Sequence, residues 1–247
     1  MKIEFLGVKI DNLNQKETLE KIDALIQEGR RGKRNYVVKP NPEILVLANK
    51  DQGFRQILNK ASLAVPDGFG LLLASRLLKN PLKERVGDAI LMEKIIEMCA
   101  GKGYSIYLFG GRPPVVERLA NKIKEKYQGI NLVSYHHGYA LDDNEVIDDI
   151  KKYGPDVVFV AIGFPKQEKW IERNLEKVHV PLMIAEGGSF DFLSGGVARA
   201  PVFIRKIGLE WLFRLIKQPW RFKRQLAIPI FTYLIAREKL RNIFQSH

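Results

Sequence analysis

The chain of 247 residues contains a single cysteine, Cys99, so no disulfide can form within it. Disulfides are typical of oxidising compartments, and this scarcity of cysteine favours a reducing cytoplasm. Cys99 lies in an apolar stretch with a helical pattern. We therefore expect a small core residue at this position rather than a catalytic nucleophile.

Long apolar runs are also missing. The longest, LAIPIFTYLIA, covers residues 226–236, which is eleven residues with a proline inside. A membrane-spanning helix needs about 20 consecutive apolar residues. The N-terminal stretch MKIEFLGVKIDN lacks the apolar segment of a signal peptide. We therefore expect neither a membrane span nor an export signal.

The sequence lacks the motifs of several enzyme classes. Neither G-x-G-x-x-G nor G-x-x-x-x-G-K-[ST] occurs, which argues against dinucleotide dehydrogenases and P-loop NTPases. There is no H-E-x-x-H and no G-x-S-x-G, and there is no Asp-x-Asp pair of the kind that holds Mg²⁺ on a sugar nucleotide. His136 and His137 should lie on opposite faces of a strand, which is a poor arrangement for a metal ion. We predict no resident metal and no cofactor.

Positive charge is concentrated near the C-terminal end. The net charge is +12, and residues 199–247 hold eleven Lys and Arg against two Glu, which accounts for +9 of it. The segment RKIGLEWLFRLIKQPWRFKRQ, residues 205–225, interleaves cations with Trp and Phe, and Pro219 should break it into two helices. Such a segment is typical of an anionic membrane surface, although single-stranded nucleic acid also binds basic and aromatic side chains. Because no helix-turn-helix, RNP or KH signature accompanies it, we favour the membrane.

Strand and helix patterns alternate along the first 198 residues. The strand patterns cover 3–10, 36–39, 63–66, 104–109, 131–135, 156–162 and 180–185, and the helical patterns cover 16–28, 43–59, 69–78, 88–100, 114–127, 144–152 and 166–177. This alternation predicts an α/β fold with a Rossmann-like, mostly parallel sheet flanked by helices. Beyond it the chain is basic and helical. We predict a core at 1–198 and a C-terminal basic helical appendage at 199–247.

Polar and glycine-rich segments follow five of the predicted strands: KPNPE, PDGFG, FGGRPP, GFPKQEKW and EGGSFDF. Ligands of α/β proteins bind beyond the carboxyl ends of the strands, so we expect one site at this edge. Asp67 could be a helix cap, a turn residue or a catalytic base. Gly110 and Gly111 fit a phosphate-binding loop about as well as a tight turn. Asp191, which lies between two phenylalanines, could cap a short helix.

These motifs together resemble those of the TagA/WecG/CpsF glycosyltransferases of bacterial cell-surface polysaccharide synthesis. The resemblance extends from about Val38 to Arg224, and the longest pieces, GFPKQEKW and GLEWLFRL, are specific. The matching pieces are NPE (41–43), VPDGFG (65–70), ERV (84–86), HGY (137–139), GFPKQEKW (163–170), GGSFDFLSG (187–195), RAP (199–201) and GLEWLFRLIKQPWRFKR (208–224).

The resemblance implies a peripheral enzyme at the cytoplasmic face of the membrane that moves a sugar from a UDP-sugar to an undecaprenyl-diphosphate-linked sugar. The type activity is N-acetylmannosamine transfer to the 4-hydroxyl of lipid-linked N-acetylglucosamine in wall teichoic acid synthesis. The implied reaction is inverting and independent of metal. Some self-association into a homo-oligomer is also implied. An RNA-binding protein with a Rossmann-like core is the alternative outside this class.

The resemblance also assigns roles to particular residues. Asp67 matches the base that the family is proposed to use on the acceptor hydroxyl. Arginines of the appendage would reach the lipid diphosphate, for which forked guanidinium groups are suited. Those arginines are Arg214, Arg221 and Arg224. The remaining candidates for substrate binding are Lys39, Asn41, Arg85, Gly110, Gly111, Gln167, Glu168, Gly187, Gly188 and Asp191.

Three departures from the family pattern leave the donor sugar open. Lys39 stands where members such as TagA carry Thr, and Glu186 replaces a usual glycine. The stretch GDAIL follows ERV, where Gly-x-Asp is usual, so the aspartate is displaced or lost. Because Lys39 and Glu186 both lie at predicted strand ends, we hypothesise that they pair across the site. UDP-glucose, UDP-galactose and a UDP-uronic acid remain alternatives to UDP-N-acetylmannosamine.

Overall fold

The structure, a computed structural model, describes residues 1–139, 143–198, 200, 201, 203, 204, 208–217, 219 and 222–245. It opens with a two-stranded antiparallel hairpin of β1 (Lys2–Phe5) and β2 (Val8–Asp11). The sequence predicted one strand over 3–10, and this is wrong. The two residues between the strands, Leu6 and Gly7, have φ angles of 50° and 81°, which reverse the chain in a two-residue turn.

The centre of the molecule is a six-stranded, wholly parallel sheet in the order β4-β3-β8-β7-β5-β6. Its strands are β3 (Asn35–Val38), β4 (Leu63–Ala64), β5 (Ser105–Gly110), β6 (Asn131–His136), β7 (Val157–Ala161) and β8 (Leu182–Ala185). Every residue of β3, β7 and β8 is buried, as expected for strands covered by helices on both faces. The predicted α/β fold with a parallel sheet is confirmed.

Nine helices accompany the sheet within the described part of residues 1–198. They are α1 (Gln15–Arg30), α2 (Pro42–Lys50), α3 (Gln52–Lys60), α4 (Phe69–Leu77), α5 (Ala89–Lys102), α6 (Pro113–Lys126), α7 (Asp143–Tyr153), α8 (Lys166–Val178) and α9 (Ser189–Leu193). The single helix predicted over 43–59 is in fact two. Asp51 adopts an extended conformation that ends α2, and its carboxylate accepts a hydrogen bond of 2.9 Å from the Phe54 amide to cap α3.

Apolar side chains pack against both faces of the sheet. Successive residues of β5 show this, since Ile106 and Leu108 contribute to one buried cluster while Tyr107 and Phe109 contribute to the other. Cys99 on α5 is fully buried, and burial raises the pKa of its thiol to about 12. The interpretation of Cys99 as a core residue is confirmed.

Within residues 208–217 and 222–245 the structure describes three further helices: α10 (Glu210–Lys217), α11 (Phe222–Gln225) and α12 (Ala227–Gln245). Pro219 has a 3₁₀ conformation between α10 and α11, which agrees with the helix break predicted there. Helix α12 packs against α2 and α4, and its Phe231 and Ile235 are only 3% and 2% exposed. The boundary at Ala198 stays a prediction, but these two side chains belong to the core.

None of the described helices combines the length and the apolar character that crossing a bilayer requires. Residues 227–236 of the apolar run belong to α12. Within this run Phe231 and Ile235 pack in the core, whereas Ile230 and Tyr233 are exposed.

Candidate active site

A cleft of about 1210 Å³ opens at the carboxyl edge of the sheet. Each of the five segments that follow the strands contributes to its lining. Representative residues are Lys39, Asp67, Gly111, Gln167 and Gly187. The prediction that these loops meet at one site is confirmed. Helices α10, α11 and α12 supply the remaining wall through residues such as Trp211, Arg224 and Phe231.

Asp67 lies two residues beyond Val65 on the short loop that connects β4 to α4. Its amide donates a hydrogen bond of 2.8 Å to the Pro40 carbonyl, which holds the loop against the end of β3. Gly68, with a φ of 87°, is the N-cap of α4, so Asp67 is not the cap. No side chain or backbone group among the described residues hydrogen-bonds to the Asp67 carboxylate. The carboxylate therefore remains available to a ligand in the cleft.

Gly87 packs so closely against Asp67 that no residue with a side chain fits at its position. A Cβ atom at Gly87 would come within 2.9 Å of the Asp67 Cβ. The Val86 and Gly87 amides both donate to the Pro66 carbonyl, at 3.2 and 2.9 Å. This close approach of two loops fixes the backbone of Asp67 before any substrate binds.

The electrostatic surroundings suit Asp67 to proton transfer near neutral pH. Burial raises the pKa of Asp67 to about 6. The cations of Lys39 and Arg85 oppose that rise, and the carboxylates of Asp88 and Glu210 add to it. A carboxylate with such a pKa is ionised at neutral pH and is a stronger base than an ordinary aspartate. This environment is what a general base requires.

Lys39 and Glu186 form a buried ion pair in the floor of the cleft, as hypothesised from their places at the strand ends. The Lys39 Nζ atom donates to Glu186 Oε2, and the two side chains are 6% and 0% exposed. The other carboxylate oxygen, Glu186 Oε1, is buried and accepts no hydrogen bond from any residue that the structure describes. A pair with one unsatisfied oxygen is not optimised for stability alone.

Gln167 and Glu168 have different positions although they are adjacent on α8. The Gln167 side chain lines the cleft and accepts a hydrogen bond of 3.1 Å from the Gly187 amide. The Glu168 side chain points into the protein, where it accepts a hydrogen bond of 2.9 Å from Gln167 and where burial raises its pKa. The expectation that Glu168 contacts substrate is therefore wrong, because successive helix residues face different directions.

The glycines at the end of β5, Gly110 and Gly111, are explained by close backbone packing rather than by contact with a ligand. A Cβ atom at Gly110 would lie 2.3 Å from the Ala161 carbonyl carbon, and Gly110 does not line the cleft. The Gly111 amide donates to the Ala161 carbonyl at 3.0 Å, and Pro113 and Pro114 have no N–H. Few donors are left for a phosphate, so these contacts favour the tight turn. The prediction of substrate contact fails for Gly110, while Gly111 does reach the cleft surface.

Asn41 and Asp191 line the cleft, and so do Gly187 and Gly188. The Asn41 side chain also caps α2 by accepting a hydrogen bond of 3.0 Å from the Ile44 amide. Asp191 lies within α9, whose N-cap is Gly188, so Asp191 is not the cap of that helix. Asp88, the aspartate of the GDAIL stretch, caps α5 and lines the cleft as well.

Two ion pairs join the C-terminal helices to the core beside Asp67. Arg85 lies 3.6 Å from both Asp88 and Glu210. Arg224 forms a two-pronged pair with Glu43, at 2.7 and 2.9 Å. Arg224 thus faces the cleft, but its guanidinium already has a carboxylate partner.

The structure does not describe the side chains of the other two appendage arginines, Arg214 and Arg221. Arg221 and the side chain of Arg214 lie outside the described residues, although the backbone of Arg214 belongs to α10. Their predicted contact with a diphosphate stays a prediction.

Sequence reasoning missed two sets of cleft residues. Arg112 and Arg118 are exposed, line the cleft beside α9, and form no ion pair within the described parts of the chain. Leu73 and Leu77 on α4 line it too and are 52% and 39% exposed. The spacing of four between these leucines in GLLLASRLL places them on one face of a helix. The same spacing is typical of a helix face that packs against the core, so it did not indicate a cleft.

The two histidines do not alternate across the sheet. His136 ends β6, and its ring lies 4.8 Å from the ring of His137, centroid to centroid. The expectation of opposite faces is wrong, because the strand pattern stops at His136. Across the described ranges, no three His, Cys, Asp or Glu residues are grouped so that they could hold a metal ion.

Comparison with known proteins identifies the family. Residues 3–245 match the model of the Glycosyl transferase WecG/TagA/CpsF family. The chain belongs to this family. It is 34% identical over 239 residues to an N-acetylglucosaminyldiphosphoundecaprenol N-acetyl-beta-D-mannosaminyltransferase of Staphylococcus aureus (strain MW2), covering 96% of this chain and 93% of the relative. It is 36% identical over 199 residues to the protein of that name in Bacillus subtilis (strain 168), covering 81% and 78%. This family of glycosyltransferases thus spans nearly the whole chain, including its C-terminal helices.

Proposed function

We propose that this glycosyltransferase moves N-acetylmannosamine from a UDP-sugar to undecaprenyl-diphosphate-linked N-acetylglucosamine during wall teichoic acid or related polysaccharide synthesis. The names of the relatives support the acceptor and the sugar transferred. The observation that carries the chemistry is Asp67, an unpaired carboxylate among the described residues that faces the cleft with a pKa raised to about 6. An enzyme that deprotonates a sugar hydroxyl needs such a group.

The proposed reaction is a single displacement with inversion. An oxygen of the Asp67 carboxylate takes the proton from the acceptor hydroxyl as that hydroxyl attacks the anomeric carbon of the donor. A new glycosidic bond forms, and the bond between the anomeric carbon and the UDP oxygen breaks. UDP leaves with the electron pair of that bond. Asp67 then releases its proton to solvent.

The departing diphosphate needs positive charge that is not already neutralised. Arg112 and Arg118 meet this requirement best, because both line the cleft and neither forms an ion pair with a described residue. Guanidinium groups stabilise diphosphate oxygens through paired hydrogen bonds. We propose that these arginines assist UDP departure without a resident metal ion.

The acceptor carries a diphosphate and an isoprenoid chain, and the cleft has a wall suited to each. Arg224 adjoins the cleft and can contact the acceptor diphosphate once it leaves Glu43. The same cleft is also lined by Leu73 and Leu77 of α4 and by the partly exposed Ile228 of α12. Partly exposed apolar side chains of this kind favour a hydrocarbon ligand.

The C-terminal helices supply the surface that would meet the membrane. Ile216 of α10 is 69% exposed and Phe222 of α11 is 59% exposed, in a region of strong positive charge. Apolar and basic side chains together favour anionic lipid surfaces. Peripheral attachment at the cytoplasmic face would place the cleft near its lipid-linked acceptor. Homo-oligomer formation remains part of the proposal and would show in sedimentation.

The decisive experiment pairs a panel of UDP-sugars with a synthetic acceptor that carries N-acetylglucosamine on a lipid diphosphate. UDP-N-acetylmannosamine should give the highest kcat/KM and a product with inverted anomeric configuration. The panel includes UDP-glucose, UDP-galactose and a UDP-uronic acid, because Lys39 and Glu186 make this floor of the cleft unusual. A higher kcat/KM with one of these three sugars would show that it, and not UDP-N-acetylmannosamine, is the donor. A product with retained anomeric configuration would contradict the proposed mechanism.

A further inference from the structure

We infer that Lys39 is a positioning residue for Asp67: its ammonium group, clamped by Glu186, holds the Asp67 carboxylate in its ionised form. The inference rests on the proposed function, because it takes Asp67 as the base. It concerns a pair of residues that replaces the usual Thr and Gly of the family pattern.

The strand order places three charges in a row at the carboxyl edge of the sheet. Strand β3 lies between β4 and β8, so Lys39 at the end of β3 lies between the loop after β4 and Glu186 at the end of β8. Asp67 is on that loop. The sequence of charges is thus negative, positive, negative, with the cation in the middle. All three residues contribute to the lining of one cleft.

Backbone hydrogen bonds fix each member of this row. The residue after Lys39, Pro40, accepts from the Asp67 amide at 2.8 Å, which ties the two loops together. The Glu186 amide donates to the Val160 carbonyl at 2.8 Å, and the Glu186 carbonyl accepts from the Ser189 hydroxyl at 3.1 Å. The backbone hydrogen bond between Asp67 and Pro40 therefore ties the Asp67 loop to the residue that follows Lys39.

The charges that face Asp67 single out Lys39 as the effective cation. Arg85 is the other nearby cation, but it is shared between Asp88 and Glu210 at 3.6 Å each, and both of these carboxylates also face Asp67. The anion that Lys39 contacts lies on its far side, in Glu186. The field of Lys39 at Asp67 is consequently less neutralised than that of Arg85.

A purely structural role explains the pair less well. Other positions at this sheet edge are occupied by Ala161 and Gly110, which need no counter-charge. A buried ion pair is often no more stabilising than apolar side chains of similar volume. Here one carboxylate oxygen also lacks a hydrogen-bond partner within the described part of the chain. Costly buried charges beside a cleft are more typical of functional sites than of structural ones.

The test measures kcat/KM against pH and follows the acid limb, where the base becomes protonated. The main variant is the double replacement Lys39→Met with Glu186→Gln, which removes both charges of the ion pair together. Its acid limb should move up by roughly one pH unit, because an adjacent cation lowers the pKa of a carboxylate by about that amount or more. Lys39→Arg keeps the cation and should leave the limb unchanged.

Arg30→Met is the matched control. Arg30 pairs with Asp156 at 2.7 Å, at the opposite edge of the sheet. Its removal should lower the melting temperature without moving the acid limb. Because the midpoint of a pH profile does not depend on the fraction of active enzyme, a poorly folding variant still gives the answer.

The outcomes separate this inference from the proposed function. If the double variant has the same acid limb as the unmodified protein, or if Arg30→Met moves the limb as far, Lys39 does not act on Asp67. If Asp67→Asn retains normal turnover, the proposed base is wrong instead. Loss of activity in Asp67→Asn together with an upward shift in the double variant supports both.

Discussion

Replacing Asp67 by asparagine should make the protein inactive and more stable at once. The carboxylate has its pKa raised from 3.8 to about 6 by burial, so the folded state disfavours its ionised form. A rise of about two pKa units corresponds to about 3 kcal/mol of lost stability at neutral pH. Because Asp67 lines an open cleft, solvent reduces this to about 1–3 kcal/mol. Asparagine has similar volume and no charge to desolvate.

The pH dependence of this effect has a definite sign. When the pKa of a carboxylate is higher in the folded state than in the unfolded state, the folded protein loses stability as the pH rises from the unfolded-state pKa to the folded-state pKa. Between about pH 4 and about pH 6, the free energy of unfolding of the unmodified protein should therefore drop below that of Asp67→Asn. The difference between the two should stay constant at higher pH. For a chain of this length, about 1–3 kcal/mol corresponds to roughly 2–10 °C in melting temperature.

The assay combines thermal melts with turnover of a lipid-diphosphate acceptor. Loss of a general base costs about 10²–10⁴-fold in rate. In the unmodified enzyme, kcat/KM should fall about tenfold for each pH unit below about pH 6. UDP binding should change little in Asp67→Asn, because the base contacts the acceptor.

Asp156→Asn is the control with the opposite sign. Burial raises the pKa of Asp156, but hydrogen bonds from Arg30 and Ser105 outweigh this and hold the pKa below its ordinary value. Asp156→Asn should therefore destabilise the protein at neutral pH and leave turnover intact. Near-normal turnover in Asp67→Asn would remove Asp67 from the mechanism. An inactive Asp67→Asn that melts no higher than the unmodified protein at pH 8 would refute the argument from burial.

The remaining predictions concern metal, lipid and the C-terminal helices. Turnover should survive EDTA, because the diphosphate is assigned to arginines; complete loss that Mg²⁺ or Mn²⁺ restores would contradict this assignment. Leu73→Gln with Leu77→Gln should raise KM for long-chain acceptors about tenfold or more and leave short-chain acceptors unchanged, since each buried leucine contributes about 1.5–3 kcal/mol. Leu240→Gln is the matched control, because Leu240 is 56% exposed and does not line the cleft; equal losses with both acceptor lengths would contradict a chain-binding role. Deletion of residues 200–247 should leave a folded core that no longer sediments with anionic vesicles, but with a melting temperature lowered by about 10 °C, because Phe231 and Ile235 leave the core; an unchanged melting temperature would show that α12 does not stabilise it.

Local chemistry made the fold and the place of the site predictable. Apolar strands alternating with helices indicate a parallel sheet, and loops at one edge of such a sheet must meet. What local patterns could not give was pairing between distant parts of the chain. The order of the strands, which places Lys39 between Asp67 and Glu186, depends on contacts across 147 positions of the sequence. The proximity of Lys39 and Glu186 was a hypothesis until the structure showed β3 beside β8.

The errors have equally specific causes. The turn between β1 and β2 is formed by Leu6 and Gly7, and a leucine with a φ of 50° is rare in such turns, so the segment read as one strand. Asp51 reads as an ordinary polar position within a helical pattern, although it ends one helix and caps the next. The direction of Glu168 is set by the packing of α8 against the sheet, which the motif GFPKQEKW does not reveal.

Beyond the membrane contact that we propose for them, the C-terminal helices contribute to the environment of Asp67, the proposed base. Glu210 of α10 pairs with Arg85 and helps to raise the pKa of Asp67, while the same helices close one wall of the cleft. Burial is the main cause of the raised pKa, so movement of this wall away from the cleft would admit water and lower it. In the proposed reaction Arg224 leaves Glu43 to bind an acceptor diphosphate, and we expect that exchange to loosen the same wall. We therefore expect acceptor binding to change the pKa of Asp67 through the C-terminal helices.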